Sequence, residues 1–191
     1  VPTASVNAII ADNFTTTGDL SVKSLTINSG KVFTVATGTT LTIVNALTNN
    51  AGLTGFVVES DGVVLQNSTV TNTALATVKR NSTPLFRQDY TVWSSPVFEP
   101  NLRNFSPQTL FNRFSTYDFS TSENGGYKQE INNNEEVLSK KFVNAKGYLI
   151  RMPNNANEVA SGNAQTFVGE FKGVLNNGTI TIPLYGNVPG T

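Results

Sequence analysis

Short apolar runs that alternate with polar residues, each broken after three or four positions by Gly, Asn or Asp, fill the first third of the chain. Ser24-Leu25-Thr26-Ile27 is echoed by Thr40-Leu41-Thr42-Ile43, and Val57 follows Leu41 by sixteen positions. Between them lie Val32-Phe33-Thr34-Val35, Ala46-Leu47-Thr48 and Val63-Val64-Leu65-Gln66. Turn residues separate them at Asn28-Ser29-Gly30, Thr37-Gly38, Asn49-Asn50-Ala51-Gly52 and Asp61-Gly62. A period of two is the period of a strand, in which residues i and i+2 share a face. Units this short cannot bury an apolar face alone, but stacked coils bury a continuous lining. The spacing predicts a β-solenoid over residues 1–78, repeating near sixteen residues with two or three short strands per unit. A meander of similar hairpins is the alternative. Leu25, Ile27, Phe33, Val35, Leu41 and Ile43 are expected inside, with Thr26, Thr34 and Thr42 outside. The three threonines read either as a flat rank, as in ice-binding solenoids, or simply as good exposed strand residues.

Beyond Asn81-Ser-Thr-Pro84, a turn or linker, the period is lost. The expectation over residues 84–191 is a β-sandwich, jelly-roll-like, incomplete at its C-terminal end and covering one end of the solenoid. Its strands are placed at 85–93, 113–119, 126–131, 147–152, 165–173 and 179–184. The run Tyr90-Thr-Val-Trp-Ser-Ser-Pro-Val97 holds the one tryptophan and ends at a proline that cannot donate a ladder bond. It predicts a strand carrying Trp93 into a core. Asn177-Gly178, between Val174-Leu175 and Ile180-Thr-Ile182, is the pair favoured in a primed hairpin turn. A helix of two turns at most fits Asn133 to Lys141, with its acidic start and basic finish.

Composition narrows the function classes. Thirteen basic and thirteen acidic residues cancel, so no net field attracts nucleic acid or an anionic membrane. The chain has no Cys and no His, which removes disulfides, thiolate nucleophiles, Ser-His-Asp and Cys-His catalysis. Its apolar runs are too short to span a bilayer. A start at Val1-Pro2 is read as a processed form or a fragment.

Several stretches from Trp93 onward carry a resemblance: Trp93-Ser-Ser-Pro-Val97, Phe105-Ser-Pro107, Arg113-Phe-Ser-Thr-Tyr-Asp118, Lys146-Gly-Tyr-Leu-Ile-Arg-Met-Pro153 and Phe167-Val-Gly-Glu-Phe-Lys-Gly173. Together with the Leu-Thr-Ile lead-in, they resemble large β-rich proteins that gliding bacteria export by the type IX secretion route. The resemblance covers most of the chain, and its motifs are structural. It implies a secreted or cell-surface adhesin or stalk module, with other surface or secretion-system proteins as partners. Such proteins usually carry a further strand with a Gly-Asn-Pro-Tyr-like motif and then a sorting domain. This sequence has instead Tyr185-Gly-Asn-Val-Pro-Gly-Thr191, so part of a longer protein is expected.

The remaining chemistry is thin. Asp89, Glu99, Asp118, Glu123, Glu130, Glu135, Glu136 and Glu170 could supply the two carboxylates of a glycosidase, but none sits in a motif. Asp12-Asn13, Asp19, Asp61-Gly62 and Asp118 could offer calcium hard oxygen ligands, without the Asp-x-Asp-x-Asp spacing of a loop site. Trp93, Tyr90, Tyr117, Tyr127 and Tyr148 are candidate stacking platforms for sugars. Asn13, Asn67, Asn81, Asn104 and Asn177 fit the N-glycosylation pattern, as chance allows in a chain this rich in Asn and Thr. No residue is assigned a catalytic, cofactor-binding or metal-ligating role. The expectation is a non-enzymatic structural or adhesive module, with a carbohydrate-binding or polysaccharide-active module, or a captured type IX secretion substrate, as alternatives.

Overall fold

The computed structural model describes residues 2–118, 126–133, 135–160 and 162–183. The fold is all-β and forms two compact units. The first comprises Val1–Asn81, Pro96–Phe98 and Val168–Thr179; the second Ser82–Ser95, Glu99–Phe167 and Ile180–Thr191.

The first unit is a solenoid of three coils with three strands each. Coil one holds β1 (Ala8–Ile10), β2 (Phe14–Thr15) and β3 (Leu20–Val22); coil two, β4 (Leu25–Ile27), β5 (Phe33–Val35) and β6 (Thr40–Ile43). Coil three holds β7 (Leu47–Asn49), β8 (Phe56–Val58) and β9 (Val63–Gln66), after which β10 (Leu75–Asn81) adds a fourth rung beside β8. Equivalent strands pair in parallel, making the faces β1-β4-β7, β2-β5-β8-β10 and β3-β6-β9.

The stacked partners correct the sixteen-residue repeat. Ala8 pairs with Leu25, 17 residues on, and Thr40 with Val63, 23 on. Leu25-Thr26-Ile27 and Leu41-Thr42-Ile43 look alike because each lines the same interior, yet they lie on different faces. The neighbour of Leu25 up the stack is Leu47, and that of Leu41 is Leu20 on one side and Val64 on the other.

Alternation sets the inside as expected. Leu25, Ile27, Phe33, Val35, Leu41 and Ile43 are completely buried, each burial stabilising by about 1.5–3 kcal/mol. Phe14, Phe33 and Phe56 form one column, with centroids 5.9 and 5.7 Å apart and planes within 14° and 20°. At the coil corner, Thr16 Oγ1 accepts from the Ala36 N–H at 2.8 Å, Thr39 Oγ1 donates to the Ala36 carbonyl at 2.8 Å, and the two hydroxyls meet at 2.6 Å. Both threonines are buried, so this closed set leaves neither hydroxyl unsatisfied.

A late segment joins this unit. β15 (Val168–Val174) pairs antiparallel with β10 from Asn81↔Val168 to Leu75↔Val174. The strand expected at 165–173 in the sandwich is therefore the outer strand of a solenoid face. Gly173 fits closely there: a Cβ would lie 3.1 Å from Val97 Cγ2, so Val97 would have to shift to admit one. Val97 is fully buried and bridges Leu175. The hairpin expected at Asn177-Gly178 does not form. Only Gly178 has a positive φ, +79°, whereas a type I′ turn needs it at both positions, and residues 179–183 carry no strand. The Asn177 amide instead donates to the carbonyls of Ser68 (2.8 Å) and Val70 (2.7 Å). Residue 184 lies outside the described residues.

The second unit is built on an antiparallel sheet ordered β11-β14-β12-β13, from β11 (Tyr90–Trp93), β12 (Phe114–Asp118), β13 (Gly126–Gln129) and β14 (Tyr148–Arg151). Strand 85–93 shortens to its second half because the Asp89 carboxylate accepts from the Phe86 N–H at 2.8 Å and makes a turn; Leu85 keeps one bridge, to Gln165. The buried face presents Trp93, Phe114, Thr116, Tyr148 and Ile150. This antiparallel sheet supports the sandwich expectation in part; among the described residues, the layer packed against it is made of short pieces. It includes α1 (Leu102–Phe105), capped by Asn101 Oδ1 on the Asn104 N–H, and the Asn101↔Lys141 bridge. Trp93 meets Phe105 and Phe167 edge-on at 5.1 and 5.8 Å, and Phe142 joins Phe105 to Tyr148 at 5.3 and 4.9 Å. The Tyr148 hydroxyl donates to the Lys141 carbonyl (3.2 Å) and accepts from the Val143 N–H (3.0 Å). The helix expected over Asn133 to Lys141 is reduced to α2 (Glu136–Ser139), one turn; Asn134 is not described.

Candidate functional site

The outward threonines do not form a rank. Thr26 lies on the β1-β4-β7 face between Ile9 and Thr48, Thr34 on the β5 face between Thr15 and Val57, and Thr42 on the third face between Ser21 and Leu65. Sixteen- and eight-residue spacings within one coil move a side chain to another face instead of stacking it.

The acids are scattered, and most of the described ones serve turns, backbone N–H groups or lone cations. Lys31 bonds Asp12 at 3.0 Å, Asn13 Oδ1 accepts from Val32, and Asp19 accepts from the Thr40 N–H, so all three fasten one coil to the next. Asp61 holds a left-handed turn at φ 63°. Glu99 faces Lys141 at 3.5 Å, Asp118 faces Lys128 at 4.0 Å, and Glu170 faces Lys172 at 2.8 Å in the first unit. Glu135 is exposed, Glu136 accepts from the Asn132 N–H at 2.7 Å, and Glu123 lies outside the described residues. Among the described residues no three acids gather into a group that could hold a metal ion.

Glu130 is the most enclosed of the described acids that form ion pairs. Burial raises its pKa, but hydrogen bonds from the Thr116 hydroxyl and from Lys146 (3.1 Å) outweigh that, holding the carboxyl below its ordinary range. It is a structural ion pair beneath the sheet, not a proton donor poised near neutrality.

The aromatic platforms divide. Trp93 and Tyr148 are core residues, 7% and 1% exposed. Tyr90, Tyr117 and Tyr127 lie on the open face of the sheet, 39%, 45% and 64% exposed. Tyr117 and Tyr127 are cross-strand partners, with ring centroids 5.6 Å apart at 79°. A cavity of about 330 Å³ in the same unit is lined by Pro107, Gln108, Met152, Pro153, Gln165 and Phe167 among others; among the described residues no acid lines it.

Arg113 and Arg151 stand inside two of the motifs quoted above, Arg113-Phe-Ser-Thr-Tyr-Asp118 and Lys146 to Pro153, and neither motif alone shows that they meet. The signal was there in part: each arginine ends a strand pattern whose apolar members, Phe114 and Ile150, face inward. Arg151 is 6% exposed, and burial together with neighbouring Arg113 and Arg87 lowers its pKa.

A family model for a domain of unknown function (DUF8693) matches residues 1–191. No curated protein matches the chain, and no solved structure matches it.

Proposed function

We propose that this chain, which belongs to the DUF8693 family, is a non-enzymatic structural or adhesive module of a secreted or cell-surface bacterial protein. On this reading it is part of a longer chain exported by a gliding bacterium through the type IX route. Its partners would be other surface or secretion-system proteins. One observation carries the reading: the interior of the first unit is filled by its own lining, with Leu25, Ile27, Phe33, Val35, Leu41, Ile43 and Phe56 at no measurable exposure. An interior filled in this way resists local opening and holds a surface in place. The sequence resemblance to exported β-rich proteins is what supports the location.

Surface display is tested by treating intact source cells with protease and following the chain by immunoblot. Loss of the chain while a cytoplasmic marker survives is the expected result. Full protection, with recovery only from the cytosol, overturns the location. Turnover of any polysaccharide by the purified protein overturns the non-enzymatic reading.

A further inference from the structure

Two arginines meet across the second unit's sheet, and a third lies near them. Phe114 faces Ile150 on neighbouring antiparallel strands; Arg113 ends the 3-10 turn just before Phe114, Arg151 follows Ile150, and the charge of Arg113 is felt at Arg151. Tyr90 faces Arg151 from the other side. Arg151 donates to Gln88 Oε1 at 3.2 Å and to Asn154 Oδ1 at 3.1 Å, and Arg87 sits next to Gln88. Like charges that feel one another in this way repel. Among the described residues the one carboxylate paired with the three is Glu158, on Arg87, while the nearby Asp89 carboxylate is turned to the Phe86 N–H. Arg113 has no side-chain partner among the described residues. The Nε atoms of Arg87, Arg113 and Arg151 are all buried without an acceptor. Buried donors left unpaired carry a desolvation penalty. Within the protein this arrangement is a concentration of cations short of negative charge.

The surroundings narrow what would supply that charge. A guanidinium grips carboxylate or sulfate oxygens through paired N–H groups. The chain's net charge is zero, so attraction is local and does not favour an extended nucleic acid. The neighbouring polar groups are neutral amides, Gln88 and Asn154, suited to hydroxyls. The same open face runs along β12 from Arg113 towards Tyr117 and its partner Tyr127, four residues or about 13 Å away. A guanidinium at the start of β12 and aromatic rings further along it, with amides in the neighbouring loops, suit a chain of sugars, stacked on the rings and held by its charged groups.

We propose that the open face of this sheet binds an acidic polysaccharide, with half-buried Arg113 holding its carboxylate or sulfate groups and Arg151, fixed by Gln88 and Asn154, keeping the ground behind it positive. The inference stands apart from the adhesive reading, since a surface module without an adhesive role could bear the same site.

The test measures binding of the full chain to polygalacturonate, dextran sulfate, neutral dextran and polyglutamate at low and high salt. Binding is expected to polygalacturonate or dextran sulfate, the tighter of the two identifying the charged group, and not to dextran. Arg113→Ala should weaken it by about tenfold or more, and Arg113→Lys should recover only part, keeping charge but losing the fork. Because Arg113→Ala removes a neighbouring cation, its melting temperature should be unchanged or higher. Weaker binding accompanied by a lower melting temperature in both Arg113 variants overturns the proposal. Tyr127→Ala should weaken glycan binding and leave the thermal shift produced by inorganic sulfate unaltered. Equal binding of polyglutamate, binding of dextran, a response to inorganic sulfate alone, or an Arg113→Ala variant indistinguishable from the parent also overturns it.

Discussion

In the first unit Phe33 lies in a column between Phe14 and Phe56, each supplied by the same position of a neighbouring coil. In the second, Trp93 lies edge-on to Phe105 and Phe167, which come from a short helix and from a segment more than sixty residues later. Both arrangements bury large rings. The solenoid does so by repeating one local pattern, so a substitution there is felt by the coils above and below. The sheet unit does so by contacts that occur once, and a substitution there removes a keystone with no equivalent elsewhere. Repetition spreads stability along a stack, while single contacts concentrate it.

The largest effects expected are those of Phe33→Ala and Trp93→Ala, each about 3–5 kcal/mol. They should differ in reach. Hydrogen exchange should rise through β2, β5 and β8 in the first variant and through β11 and β14 in the second. Equal loosening of both units by either variant would break the comparison. Phe14→Ala, at a position 45% exposed, should cost well under half as much.

A smaller effect separates the units by pH. The folded-state pKa of Glu130 is depressed, so its contribution is present above the unfolded carboxylate range and is lost as pH falls through the folded value. Glu130→Gln should cost about 1–3 kcal/mol near neutrality and flatten the acid limb of the stability curve. Urea titrations of parent and variant across that range check it; parallel curves would remove this pair from the account. Smallest of all, Thr26→Ala and Thr42→Ala should each stay within about 0.5 kcal/mol, measured by the same titrations.

The same contrast decides what was legible in the sequence. Period-two alternation identified the inward residues Leu25 to Ile43, because facing in or out is a local property of a strand. It did not reveal which strands stack. Leu25-Thr-Ile27 and Leu41-Thr-Ile43 answer to one interior from two sides, and only turn geometry between them, invisible to an echo search, sets a coil of 17 to 23 residues. Trp93 was recognisable as core from its flanking residues. That β15 leaves the sheet unit to pair with β10 was not, since a seven-residue antiparallel ladder to a strand nearly a hundred positions earlier has no local trace. Asn177-Gly178 misled for a related reason: the dipeptide advertises a hairpin, but the amide is spent on the carbonyls of Ser68 and Val70. The arginines escaped because their meeting depends on the Phe114–Ile150 register, a non-local fact.

Pairing of Asn81 with Val168 sets side by side the two points where the chain departs from the solenoid and returns. To the solenoid, everything between them counts as an oversized loop, and loop length enters closure entropy only logarithmically. That junction is therefore a socket. Inserts of different size can be grafted there with little penalty to the rod, provided that they keep the clasp at Pro96–Phe98, whose buried Val97 locks the outermost strand.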